Sequence, residues 1–120
     1  MLALVPDLLF GSRVQGALAA AGHDVELVGG EGRLREQLGD DTAPAVLLVD
    51  LTDGDLDGAG IVEALLREGK LREVRTLAFY SHVDTPARER AERAGFDLVV
   101  PRSRMAREGA ELITRLAASG

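Results

Sequence analysis

Four polar residues of this 120-residue chain stand just beyond short apolar runs: Asp7 after Leu2 to Val5, Asp50 after Ala45 to Val49, Ser81 after Thr76 to Tyr80 and Arg102 after Asp97 to Val100. Two neighbouring carboxylates can hold a hard divalent cation through oxygen ligands, or raise the pKa of one of the pair. A hydroxyl and a guanidinium beside them can hold a phosphoryl group by hydrogen bonding and charge. The set matters chemically only if the fold gathers it in one place.

The runs that precede these residues read as strands buried by helices, and Val25 to Val28 adds a fifth. Longer amphipathic stretches lie between them. Ser12 and Gln15 have the form of a capping box, and Val14, Leu18 and Ala21 recur on one helical face ahead of Gly22. Glu31 to Leu38 has only Leu34 and Leu38 as an apolar stripe, which predicts a short helix. Ala59 to Glu68 brings Ile61, Val62, Leu65 and Leu66 together at helical spacing before Gly69. Thr85 and Pro86 suit an N-cap and first turn, because an N–H missing there has no helical partner to lose. Arg88 to Ala94 follows, closed by Gly95. Ser103 is placed to cap a last helix whose Leu112, Ile113 and Leu116 face inward. A strand–helix unit repeated five times predicts one doubly wound α/β domain over residues 1–120, with parallel strands, right-handed crossovers and helices on both faces of the sheet. Ligands of such sheets bind beyond the carboxyl ends of the strands, where the four polar residues lie.

Composition narrows the function. With 46% apolar residues the chain can bury a core without disulfide or metal staples, and the absence of cysteine excludes thiolate zinc sites and thiol catalysis. A net charge of −6 argues against non-specific binding to nucleic acid or anionic membranes, which clustered Lys and Arg would supply. No window approaches the roughly 18 apolar residues of a membrane helix, and Met1 to Leu9 lacks the basic start and cleavage site of a secretion signal. The expectation is a cytoplasmic protein that contacts neither nucleic acid nor membrane.

Three further stretches carry a likeness. Val49-Asp50-Leu51 is followed by Gly58, eight residues beyond Asp50; Ala20-Ala21-Gly22-His23-Asp24-Val25 leads into the second strand; Ala94-Gly95-Phe96-Asp97 leads into the last. In these places, over nearly its full length, the chain resembles the receiver domains of two-component response regulators. The first stretch is similar to the family's phospho-acceptor strand end and the turn after it. Arg102 falls where the family has a lysine, and Ser81 near its Ser or Thr. The resemblance implies a chemotaxis-type, flavodoxin-like three-layer sandwich and a stand-alone signalling role in a phosphorelay. It implies no enzyme activity beyond self-phosphorylation and dephosphorylation at Asp50. By the same likeness Asp50 accepts phosphate from a histidine kinase. Mg²⁺ is held by the carboxylates of Asp7 and Asp50 and the backbone carbonyl of Thr52, while Ser81 and Arg102 attend the phosphoryl group. The chain ends a few residues past the fifth helix, so the response is expected through a separate signalling protein or a homodimer.

Several working positions depart from the family pattern. Pro6-Asp7 replaces a pair of acids, which should weaken a metal site. Arg102 presents a planar fork in place of a compact ammonium. Ser103 stands for a proline, Val99 for the aromatic of the last strand, and His82 for a small residue. The alternative is a degenerate receiver that signals by protein contact without phosphorylation. A third reading is an acidic-pocket metal-binding protein or enzyme. Asp53, Asp55, Asp57 and Gly58 follow the opening of a calcium loop, yet its twelfth position is Ala64 rather than glutamate. An aspartyl-phosphate hydrolase would need an acid where Thr52 stands. Leu8, Leu9 and Phe10 read as a staple for the first helix, with an exposed docking patch as the alternative.

Overall fold

Leu47 and Val49 face one side of the sheet, Val46 and Leu48 the other, and both sides are packed. This period of two is what makes an unbroken apolar run a central strand, since its neighbours bury both faces at once. The computed structural model describes residues 1–39 and 44–118. Its order is β1 (Leu2–Leu4), α1 (Leu8–Ala20), β2 (Glu26–Val28), α2 (Glu31–Leu38), β3 (Val46–Asp50), α3 (Gly58–Arg67), β4 (Arg75–Tyr80), α4 (Thr85–Ala94), β5 (Leu98–Pro101) and α5 (Arg102–Ala118). Every strand pairing is parallel, in the sheet order β2-β1-β3-β4-β5. Leu34 of α2, Val62 and Leu65 of α3 and Ala91 of α4 cover one face, while Val14 and Leu18 of α1 and Leu112 and Ile113 of α5 cover the other. The fold is the three-layer (βα)5 sandwich expected.

The chain steps outward from β1 to β2, then crosses back to place β3 on the other side of β1. Strand order therefore reverses between β1 and β3, and the crevice of such a sheet opens beyond the carboxyl ends of those two strands. Asp7 follows the first and Asp50 ends the second.

Helix starts differ from the sequence reading. The capping box at Ser12 and Gln15 is not the start of α1. The helix begins at Leu8, and Asp7 Oδ1 accepts from the backbone N–H groups of Leu9 at 3.0 Å and Phe10 at 3.2 Å. Asp7 is the first acceptor the chain meets after β1, and it satisfies the orphan donors before Ser12 is reached. Gln15 instead donates from Nε2 to the Val25 carbonyl at 2.8 Å. In the same way Asp84, not Thr85, caps α4 through Ala87 N–H at 3.1 Å, and α5 begins at Arg102, one residue ahead of Ser103.

Three contacts hold the layers in register. Asp97 Oδ2 accepts from Thr76 N at 2.8 Å and from Thr76 Oγ1 at 3.3 Å, and Asp97 N donates back to Thr76 Oγ1 at 3.0 Å, which joins the start of β5 to β4. Arg35 donates to both carboxylate oxygens of Glu68, at 2.9 and 3.2 Å, and to Glu31 at 2.8 Å, so it ties α2 to the end of α3. Gly58 opens α3 so tightly against β3 that a Cβ there would lie 2.6 Å from Val49 Cγ1 and 3.1 Å from Leu51 Cδ2.

Two outcomes follow from this packing. Gly58→Ala should cost about 1–3 kcal/mol in urea unfolding, the usual range for an overpacked core, because Val49 must move to admit the methyl group. Arg35 holds the Glu68 carboxyl below the usual carboxylate range, chiefly by hydrogen bonding. A lowered carboxylate pKa contributes stability that is complete above the unfolded value, about 4.3 for glutamate, and is lost as the pH falls through the folded one. The melting temperature of Glu68→Gln should therefore lie below wild type at pH 7 and converge with it toward pH 3, and added salt should narrow the gap.

Candidate functional site

Asp50 is the last residue of the central strand, and only 1% of its surface is exposed. Burying a carboxylate without partners is costly, so the local chain supplies them. Asp50 Oδ1 accepts from Thr52 N–H at 2.7 Å and from Thr52 Oγ1 at 2.6 Å. The bonds turn the chain sharply out of the strand, as an aspartate does when it accepts from the backbone two residues on. The rest of the acidic loop is spent likewise: Asp53 Oδ1 accepts from Asp55 N–H at 2.8 Å, and Asp57 caps α3 through Gly60 N–H at 3.0 Å.

Beside this turn lies an open cleft of about 350 Å³ lined by Phe10, Thr52, Ser81, His82, Arg102, Ser103 and Ala106. Of the candidate residues it brings together Thr52, Ser81, His82 and Arg102; neither Asp7 nor Asp50 lines it. Its polar groups are hydroxyls, an imidazole and a guanidinium, and no carboxylate is among them. The Arg102 guanidinium carbon lies 3.8 Å from the centroid of the Phe10 ring, and Phe10 in turn packs on Phe79 with centroids 5.3 Å apart. A cation over a ring face is attracted by the ring's quadrupole. Arg102 thus rests on an aromatic shelf continuous with the core, and among the described residues it makes no ion pair.

Sequence reasoning missed Phe10 as the shelf of Arg102. One signal was present: Arg88, Arg104 and Arg115 each pair with a glutamate four residues away, whereas Arg102 has Leu98 and Ala106 at those positions. The staple reading also needs correcting for Leu8 and Leu9, which are 76% and 67% exposed, whereas Phe10 packs inward. Helix α1 starts early enough to aim its first two side chains at solvent.

The magnesium set implied by the family likeness finds poor donors here. Magnesium needs hard oxygens free to enter its coordination shell, commonly carboxylates alongside waters. Asp7 Oδ1 is spent on two helix N–H groups, Asp50 Oδ1 on Thr52, and position 6 is proline. Among the described residues no three acidic or histidine side chains cluster closely enough to hold a metal ion. With only the second oxygen of each of two carboxylates left over, the residues present fit that ion poorly.

No protein-family model and no curated protein matches the chain. Solved structures do match. The receiver domain of NtrX from Brucella abortus superposes with a TM-score of 0.84 at 17% identity, over 99% of this chain and 98% of that one. The chain has the receiver-domain fold. The receiver domain of the TMAO respiratory system response regulator TorR is similar at a TM-score of 0.81 and 19% identity, covering 96% of this chain and 92% of that one. A longer NtrX chain from Brucella abortus, solved in complex with ADP, superposes at 0.82 and 17% identity over 98% of this chain, which spans only 26% of its length. Among the described residues no helix is long and apolar enough to cross a membrane.

Within this receiver fold the Thr52 hydroxyl is the nearest counterweight to the buried Asp50 charge. Thr52→Val keeps the shape and the backbone donor but removes the hydroxyl, and should destabilise the protein by about 1–3 kcal/mol at pH 7 in urea unfolding, the range for one hydrogen bond lost from a carboxylate.

Proposed function

We propose that this chain is a signalling module of the receiver type that works through protein contact and takes no phosphoryl group. The observation that carries the reading is the state of Asp50: 1% exposed, its Oδ1 accepting twice from Thr52, outside the lining of the neighbouring cleft. A phosphoryl donor must approach a carboxylate oxygen in line, and the charge that develops must be met by cations placed beforehand. Asp50 Oδ1 is instead committed to shaping the exit from β3. Asp7, which the family likeness makes a metal ligand, is committed to starting α1. On this reading the chain performs no catalytic turnover, and its surface rather than a covalent state carries the signal.

A second reading keeps Asp50 as phospho-acceptor for a histidine kinase. It is favoured by one arrangement: Ser81 and Arg102, the hydroxyl and cation the family would use, share the cleft with Thr52, two residues from Asp50. One experiment separates the two. The protein is incubated with acetyl phosphate and Mg²⁺, or with beryllofluoride and Mg²⁺, and followed by intact-mass spectrometry and amide NMR. The contact reading expects no mass gain, no shift at Leu51 or Thr52, and no Mg²⁺-dependent rise in melting temperature. An adduct that appears in wild type and vanishes in Asp50→Asn would establish the second reading instead.

A further inference from the structure

The Arg102 cleft is cationic, and exposed apolar residues are next in the chain to two of the residues that line it. Leu8 and Leu9, immediately before the cleft residue Phe10, are 76% and 67% exposed, and Val83, immediately after His82, is 76% exposed. They come from two different strand–helix connections, both of which leave the carboxyl ends of the strands. Large apolar side chains held in water beside a built polar cleft mark a surface that another molecule covers.

Charge narrows what that molecule is. The chain carries −6 overall, yet this face holds two guanidiniums with no ion pair among the described residues: Arg102 in the cleft, and Arg13 in the groove that Phe10 and Ala106 share with it. The acids that flank the face along the chain are turned to other groups, though only Glu108 among them is paired with a cation. Asp7 and Asp84 cap α1 and α4, and Glu108 pairs with Arg104 and Arg107. A polyanion such as nucleic acid would meet the repulsion of the whole chain, since its affinity rests on many neutralised phosphates. A single carboxylate with apolar neighbours meets only the local cation and the leucines.

We propose that this face is a docking surface for an acidic segment of a partner protein. The segment's carboxylate pairs with the Arg102 fork and accepts from the Ser81 and Ser103 hydroxyls, and the apolar side chains beside it cover Leu8, Leu9 and Val83. The Phe10 shelf leaves the planar fork of Arg102 ordered before the partner arrives, so little side-chain freedom is lost on pairing. The proposal rests on the protein-contact reading above and names the chemistry of the contact.

An array of short immobilised peptides, each with a central glutamate and varied flanks, is probed with labelled protein beside an identical array carrying glutamine. Binding should select glutamate flanked by Leu, Ile or Phe, and should fall about tenfold or more on the glutamine array, as expected for loss of a charge-assisted hydrogen-bonded pair. Arg102→Gln, checked for native helix content by circular dichroism, should lose the same preference. Phe10→Leu should weaken it with Arg102 still present, and Leu8→Ser with Leu9→Ser should abolish selection for apolar flanks. No selected peptide, equal binding of glutamate and glutamine, or unchanged binding by Arg102→Gln would overturn the proposal. So would full competition by inorganic phosphate together with indifference to Leu8 and Leu9, which would make the cleft a free-anion site. None of these outcomes depends on whether Asp50 takes a phosphoryl group, which the acetyl phosphate experiment reads separately.

Discussion

A sheet covered on both faces offers no water to a polar side chain along its strands, and this constraint orders the rest of the molecule. Among the described residues the only buried polar side chains are Asp50 and Thr76, one at the carboxyl end of β3 and the other near the start of β4. Each is satisfied by the same chemistry: an aspartate carboxylate accepts from both the N–H and the hydroxyl of one threonine, Thr52 for Asp50 and Thr76 for Asp97. At one end of the sheet the pair turns the chain out of a strand; at the other it joins neighbouring strands.

The rim of the sheet is where the fold and the chemistry part company. Reversal of strand order between β1 and β3 opens a crevice beyond their carboxyl ends, and Ser81 and Arg102 line the cleft beside the Asp50 turn. Asp7 Oδ1 serves in starting a helix and Asp50 Oδ1 in ending a strand. The cleft is left cationic within an acidic protein, with exposed leucines beside it. A fold can thus be shared while the residues at its rim differ, because fold and site are set by different residues.

The order of elements was legible because strand and helix periods are local. Unbroken runs such as Val46 to Val49 have one stable disposition, between two layers of helices, and Ile61, Val62 and Leu65 fall on one helical face whatever lies beyond. Helix starts were less legible, since several acceptors compete for the same orphan N–H groups. Asp7 won over Ser12 and Asp84 over Thr85 by lying earlier in the chain. The Asp50–Thr52 turn was within reach of a local reading, being a side chain bonded to the backbone two residues on. The resting place of Arg102 was visible only as a lack, an arginine with no acid four residues away.

By itself, then, the sequence determined the alternation of strands and helices, the burial of the central strands and the gathering of polar residues at their carboxyl ends. All of these follow from hydrophobic period and from the handedness of the connections. Only the tertiary structure decided which donors each acid would serve, that the Arg102 cation would settle on the Phe10 ring, and that Leu8 and Leu9 would face water. Hydrophobic pattern acts between neighbours along the chain, whereas hydrogen bonds and charges are shared out among whatever groups the finished fold brings within reach.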